Sequence, residues 1–528
     1  MRHRLDGSIV GSIGAAIAYK GQPSSPQEYA RSLKRLHSLS SHPSSSSPRP
    51  EPYPLAPLRL PPTFRTMRVS LRSITSLLAA ATAAVLAAPA TETLDRRAAL
   101  PNPYDDPFYT TPSNIGTFAK GQVIQSRKVP TDIGNANNAA SFQLQYRTTN
   151  TQNEAVADVA TVWIPAKPAS PPKIFSYQVY EDATALDCAP SYSYLTGLDQ
   201  PNKVTAVLDT PIIIGWALQQ GYYVVSSDHE GFKAAFIAGY EEGMAILDGI
   251  RALKNYQNLP SDSKVALEGY SGGAHATVWA TSLADSYAPE LNIVGASHGG
   301  TPVSAKDTFT FLNGGPFAGF ALAGVSGLSL AHPDMESFIE ARLNAKGQQT
   351  LKQIRGRGFC LPQVVLTYPF LNVFSLVNDT NLLNEAPIAG ILKQETVVQA
   401  EASYTVSVPK FPRFIWHAIP DEIVPYQPAA TYVKEQCAKG ANINFSPYPI
   451  AEHLTAEIFG LVPSLWFIKQ AFDGTTPKVI CGTPIPAIAG ITTPSADQVL
   501  GSDLANQLRS LNGKQSAFGK PFGPITPP

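Results

Sequence analysis

The segment Gly269-Tyr270-Ser271-Gly272-Gly273 sets a serine between glycines at the spacing G-x-S-x-G. A serine hydroxyl is a weak nucleophile until a base takes its proton, and that base needs a carboxylate to orient it. The glycines suit a sharp, strained turn in which neighbouring side chains would collide. Val265-Ala266-Leu267 before the turn reads as a buried strand, and the residues after it are compatible with a helix. A strand–turn–helix context makes the motif a nucleophile elbow, and in such proteins the serine is followed by the acid and then the base. Asp421 fits the acid, because it comes just past the apolar run Phe414-Ile415-Trp416-His417-Ala418-Ile419-Pro420; Glu422 is its nearest rival. His453 fits the base, since it follows the plausible last strand 442–448. Among the other histidines, His275 shares the elbow helix, His332 falls in an inserted stretch and His417 lies within a strand. His229 and His298 stand near strand ends, where they can line the site, but they precede Asp421. The oxyanion formed on attack needs two backbone N–H donors. Gly272 supplies one, and position alone assigns the other to Asp182, in the loop Tyr180-Glu181-Asp182-Ala183.

These groups must be held by a sheet. Apolar, β-branched or aromatic runs at 160–164, 174–180, 222–226, 265–267, 293–296 and 413–417 read as buried strands. Between strands, 240–253 carries Met244, Leu247, Ile250 and Leu253 on one face at helical spacing. Alternating strands and helices predict an α/β fold, a mostly parallel sheet with helices on both faces and the elbow at the strand C-termini. The stretch 301–398 interrupts this rhythm and is expected to form an inserted cap. Within it, 308–330 carries no charge and is broken by Asn313-Gly314-Gly315-Pro316, so neither piece is long enough to span a membrane. Two uses fit it: a buried core helix, or an apolar wall over the serine suited to a fatty acyl chain. The Gly- and Pro-rich tail 513–528 is expected to be mobile and to lie near that acyl pocket.

The front of the chain reads differently. Ser and Pro dominate 40–62, with too few large apolar side chains for a core. Met67-Arg68-Val69-Ser70-Leu71-Arg72, the apolar run 77–88 and Ala88-Pro89-Ala90 read as a secretory signal peptide over 67–90, with an uncleaved signal anchor as the alternative. Residues 1–66 are then a disordered extension of the gene model, with translation expected to start at Met67. Residues 91–97 make a short propeptide ending in Arg96-Arg97, leaving 98–528 as the mature domain. The whole chain balances 40 basic against 40 acidic residues, but removal of 1–97 leaves 27 basic and 35 acidic, a net charge of −8. Such a balance argues against nucleic acid as a partner. The four cysteines, Cys188, Cys360, Cys437 and Cys481, suit two disulfides in an oxidising compartment, with three pairings open. The sequons at Asn378 and Asn444 are glycosylation candidates. No metal motif is present, and the chemistry calls for no metal or organic cofactor.

The chain resembles the fungal secretory lipase family. The likeness is carried by Gly269-Tyr270-Ser271-Gly272-Gly273-Ala274-His275, Ile419-Pro420-Asp421-Glu422-Ile423-Val424-Pro425, Ala451-Glu452-His453 and the start Ala98-Ala99-Leu100-Pro101-Asn102-Pro103. It extends over the whole of 98–528. The resemblance implies an α/β-hydrolase with a cap between the sixth and seventh strands, hydrolysing triacylglycerols and related esters at a lipid–water interface without a stable protein partner. It implies Ser271 as nucleophile, Asp421 as acid, His453 as base, and Asp182 and Gly272 as oxyanion donors. It also implies the pairings Cys188–Cys360 and Cys437–Cys481. Two other classes compete: a serine peptidase on the same fold, and an inert binding module that has lost its chemistry.

Overall fold

The computed structural model describes residues 100–133, 140–197, 209–379, 381–481 and 495–516, the last six by backbone alone. The segments 1–66, 67–90 and 91–97, expected to be an extension, a signal peptide and a propeptide, lie outside these residues. Nine strands run in chain order: β1 (Val123–Lys128), β2 (Ala140–Thr149), β3 (Ala155–Ile164), β4 (Lys173–Gln178), β5 (Tyr223–Ser227), β6 (Lys264–Tyr270), β7 (Asn292–Gly299), β8 (Arg413–Ala418) and β9 (Ile443–Tyr448). They form one sheet in the order β1-β2-β3-β5-β4-β6-β7-β8-β9. From β5 to β9 every pairing is parallel, while β1, β2 and β3 join antiparallel at one edge. This is the mostly parallel α/β sheet predicted from the sequence, in the α/β-hydrolase arrangement that the resemblance implied.

The helices of the frame are α1 (Thr210–Gln219), α2 (Gly239–Tyr256) and α3 (Ser271–Tyr287). Six more come between β7 and β8, not between a sixth and a seventh strand as the resemblance implied: α4 (Ala305–Leu312), α5 (Ala318–Ala331), α6 (Pro333–Glu340), α7 (Ala345–Ile354), α8 (Leu361–Thr367) and α9 (Ile388–Gln394). Then follow α10 (Tyr426–Ala438), α11 (His453–Asp473), α12 (Ala496–Leu500) and α13 (Ser502–Ser516). The last takes in the first four residues of the Gly- and Pro-rich tail as helix, contrary to expectation, and 517–528 lie outside the described residues.

Strand alternation builds a core on each face of the sheet. Phe175, Tyr177, Val224 and Ala266 point to one side, against Trp216 of α1 and Leu465, Ile468 and Phe472 of α11. Their neighbours Ile174, Val225, Val265 and Leu267 point to the other, against Ile246, Leu247 and Ile250 of α2 and Ala276 and Ala280 of α3. The six inserted helices have apolar clusters of their own, in which Phe309, Phe317, Leu322, Ile354 and Val364 meet in one and Leu328, Met335, Ile339 and Leu392 in another. The uncharged stretch divides into α4 and α5 at Asn313-Gly314-Gly315-Pro316, as the sequence predicts. No helix of the described residues is long and apolar enough to cross a membrane.

The sequence did not announce β1 and β2. In β2 the positions that face inward include Gln143 and Gln145, both fully buried. Their amides donate to the carbonyls of Ser191 and Thr110 at 2.8 Å each. Buried but hydrogen-bonded glutamines keep the strand stable while hiding its apolar alternation.

Candidate active site

Helix α3 begins at Ser271, immediately after β6, with no residue between strand and helix. The tightness of this turn forces Ser271 to φ 53°, a left-handed value that a side-chain-bearing residue rarely adopts. Gly273 makes the turn possible, because a Cβ there would stand 1.9 Å from the carbonyl oxygen of Gln178 in the neighbouring strand. The serine hydroxyl is thereby lifted above the C-terminal edge of the sheet.

Asp421 follows β8 and His453 opens α11 after β9, so the ends of three strands supply the three groups. His453 Nε2 lies 2.9 Å from Ser271 Oγ, and His453 Nδ1 lies 2.8 Å from Asp421 Oδ2. The other carboxylate oxygen of Asp421 accepts the N–H groups of Ile423 and Val424 at 2.9 and 2.7 Å. Burial alone would push the Asp421 carboxyl up, but the His453 imidazolium and its hydrogen bond outweigh it, and the pKa is lowered. Burial works against charge on His453, yet Asp421, Glu422 and Asp182 together raise its pKa above the ordinary value.

His453, which the sequence placed only after the last strand, is the first residue of a helix, with its backbone N–H free of intrahelical partners. Glu422, the rival acid, takes that N–H at 2.9 Å and so anchors the helix start instead of orienting the imidazole.

The oxyanion assignment needs correction at Asp182. Its backbone N–H donates to Glu230 Oε1 at 3.1 Å and is therefore committed elsewhere. Asp182 also has a left-handed backbone, φ 54°, which turns its side chain toward the serine. Burial raises this carboxyl to about 7, against the opposing pull of His453. Its Oδ1 is enclosed and has no hydrogen-bond partner among the described residues. The acids beneath it, Glu181 and Glu230, are buried and pushed well above the carboxylate range, first by burial and then by neighbouring acids. The sequence reading missed Glu230, although Asp228-His229-Glu230 directly after β5 is an acidic run at a strand end.

The remaining histidines sort cleanly. His229 and His298, expected to be able to line the site, do not: one bonds the Val179 carbonyl at 2.9 Å and the other Thr301 Oγ1 at 2.8 Å. His332 bonds the buried Glu395 at 2.9 Å. His275 does line the site cavity. His417, read only as a strand residue, comes within 3.4 Å of Asp421 Oδ2, the oxygen His453 uses, while bonding the Val424 carbonyl at 3.0 Å.

A cavity of about 1250 Å³, its open mouth included, runs from Ser271, Gly272 and Asp182 into the inserted helices. Phe309, Phe320, Leu328, Ile339 and Leu376 are among its walls, and among the described residues Asp182 and His275 are its only titratable lining. The cysteines pair as the resemblance implied: Cys188 with Cys360, tying the loop after β4 to α8, and Cys437 with Cys481. The only other described group with metal-ligand types in reach is Asp187 with Cys188 and Cys360, whose sulfurs are already joined. Asn378 is exposed. Asn444 is part of β9 with its Oδ1 enclosed, a poor place for a glycan.

A family model described as secretory lipase matches residues 200–479, more than half of the chain. The chain belongs to the secretory lipase family. Among similar proteins, a secreted triacylglycerol lipase of Malassezia furfur is 36% identical over 382 residues, covering 70% of this secretory lipase and 76% of the relative. Another, from Malassezia globosa, is 32% identical over 80% of this chain and 91% of its own. A crystal structure of Candida antarctica lipase A is 99% identical and superposes with a TM-score of 0.79, covering 82% of this chain and all of that one. The Xanthomonas oryzae esterase LipA, 16% identical with a TM-score of 0.51 over 68% of this chain and all of its own, shares the fold.

Proposed function

We propose that this secretory lipase hydrolyses triacylglycerols and related long-chain esters outside the cell, by way of an acyl-enzyme on Ser271. One observation carries the reading: a serine–imidazole–carboxylate relay opens into a long, almost uncharged cavity. His453 takes the Ser271 proton as Oγ attacks the ester carbonyl, and Asp421 stabilises the resulting imidazolium. The oxyanion receives the Gly272 N–H. Its second donor is the carboxyl proton of Asp182, retained because burial holds that group near neutral pH. His453 then gives its proton to the departing alcohol, and water, or a second alcohol in transesterification, releases the acyl group.

The segment 301–398 acts as the cap whose walls hold the acyl chain, and 98–528 is the mature enzyme. The relatives' names support secretion and a lipid substrate. The apolar walls favour acyl chains over peptides, and an intact relay disfavours the inert module. A rate profile over glycerol esters from acetyl to stearoyl tests the reading. Long-chain esters are expected to turn over faster than any peptide amide, and a faster amide would overturn the choice.

A further inference from the structure

Behind the serine, three hydrogen bonds tie the cavity wall to the elbow helix. Ile237 lies on the loop between β5 and α2 and has φ 60°, a conformation that a β-branched residue adopts only under constraint. Its N–H donates to Glu242 Oε1 at 2.8 Å. The second oxygen of Glu242 is 2.6 Å from His275 Nδ1, and His275 Nε2 is 3.1 Å from the indole nitrogen of Trp279. An indole can only donate, so Nε2 must accept and the single proton of His275 sits on Nδ1. Both oxygens of the buried Glu242 therefore accept an N–H, one from the wall and one from the elbow helix. Ile237 and His275 both line the cavity that holds Ser271. The Ile237 side chain reaches the cap helix α5 where that helix has no side chain: a Cβ on Gly324 would stand 2.8 Å from Ile237 Cδ1.

We propose that Glu242 is a positioning residue for acyl-chain selection. By taking the Ile237 N–H while anchored to His275, it holds Ile237 left-handed and so fixes the wall against Gly324. The inference rests on the esterase reading and extends it. A glutamine at 242 has the same size but only one acceptor oxygen. Trp279 prevents His275 from moving its proton to Nε2, so Glu242→Gln must leave one of the two N–H groups unpaired. The oxygen stays with His275, the closer partner at 2.6 Å against 2.8 Å, so Ile237 is the group released; it relaxes toward ordinary backbone angles and the wall shifts. Acetyl esters, with no tail to meet that wall, are spared.

The test compares p-nitrophenyl acetate with p-nitrophenyl laurate. Glu242→Gln is expected to leave kcat on acetate within about twofold and to change the laurate-to-acetate ratio of kcat/KM by about tenfold, chiefly through KM. In an Ile237→Gly background the substitution should no longer move that ratio, because glycine holds a left-handed angle unaided. An unchanged ratio in Glu242→Gln, or an undiminished change in the glycine background, overturns the proposal. Nitrogen NMR of the wild-type enzyme tests it without a variant, so a Glu242→Gln chain that fails to fold leaves it falsifiable. His275 protonated on Nδ1 supports the network, and a proton on Nε2 overturns it. A wild-type enzyme inactive on both esters would instead defeat the esterase reading itself.

Discussion

Asp182 and Gly272 meet so closely that a Cβ added to Gly272 would stand 1.9 Å from Asp182 Oδ1. The gap between them is where an oxyanion could be held by the Gly272 N–H and the Asp182 carboxyl. Gly272→Ala should force the carboxyl away and remove one donor. Loss of a single oxyanion donor costs roughly 10²- to 10³-fold in kcat. Steady-state kinetics on a soluble butyrate ester, with thermal melting as a control, will show whether the loss lies in rate rather than in folding.

Asp182 and His453 together predict a pH response. Catalysis needs neutral His453, whose pKa is raised, so activity should climb with pH through a midpoint above the usual imidazole value. It also needs protonated Asp182, held at about 7, so activity should decline again as the pH passes that point. Asp182→Asn keeps a donor that cannot ionise. A pH–rate profile of that variant should retain the acid limb and lose the alkaline one; an unchanged alkaline limb would remove Asp182 from the oxyanion site.

Stability should fall toward alkaline pH for a separate reason. Glu268, in β6 beneath the elbow, is buried with one oxygen taken by Ser464 at 3.2 Å and the other unpaired. Burial, reinforced by Asp209, raises its pKa to about 8. Between the unfolded carboxyl value of about 4.3 and that folded value, the native state binds the extra proton. Its stabilising contribution is therefore intact at low pH and lost as pH rises toward 8. Glu268→Gln should flatten the decline in Tm between pH 5 and 8 (a range chosen to lie roughly within those limits), as read by calorimetry.

The Cys188–Cys360 bridge closes 172 residues and fastens the start of α8, among the inserted helices, to the loop after β4; Cys437–Cys481 closes 44. Longer closed loops take more entropy from the unfolded chain, and loss of such a bridge costs roughly 2–5 kcal/mol. The pair Cys188→Ala/Cys360→Ala should lower Tm more than Cys437→Ala/Cys481→Ala, as thermal melts of the two variants will show.

The relay was legible because each of its members follows a strand whose apolar run announces itself: Val265-Ala266-Leu267 before Ser271, Phe414 to Ala418 before Asp421, and 442–448 before His453. The inserted helices between β7 and β8 were legible as an interruption of that rhythm. Other features were hidden where polar residues are buried. Gln143 and Gln145 conceal β2, and Glu230 and Glu242 act through backbone N–H groups that no side-chain pattern reveals. Asp182 was found by position, but its committed N–H depends on a left-handed turn that the sequence does not mark. The choice between Asp421 and Glu422 was likewise settled by direction: one carboxylate faces the imidazole and the other the helix start.

The most direct measurement is titration of the folded enzyme with a p-nitrophenyl alkylphosphonate, followed by mass analysis of its peptides. The account predicts release of one equivalent of p-nitrophenol, phosphonylation at Ser271, loss of esterase activity in proportion, and no reaction in Ser271→Ala. Full activity in the phosphonylated protein, or a label at another residue, would contradict it.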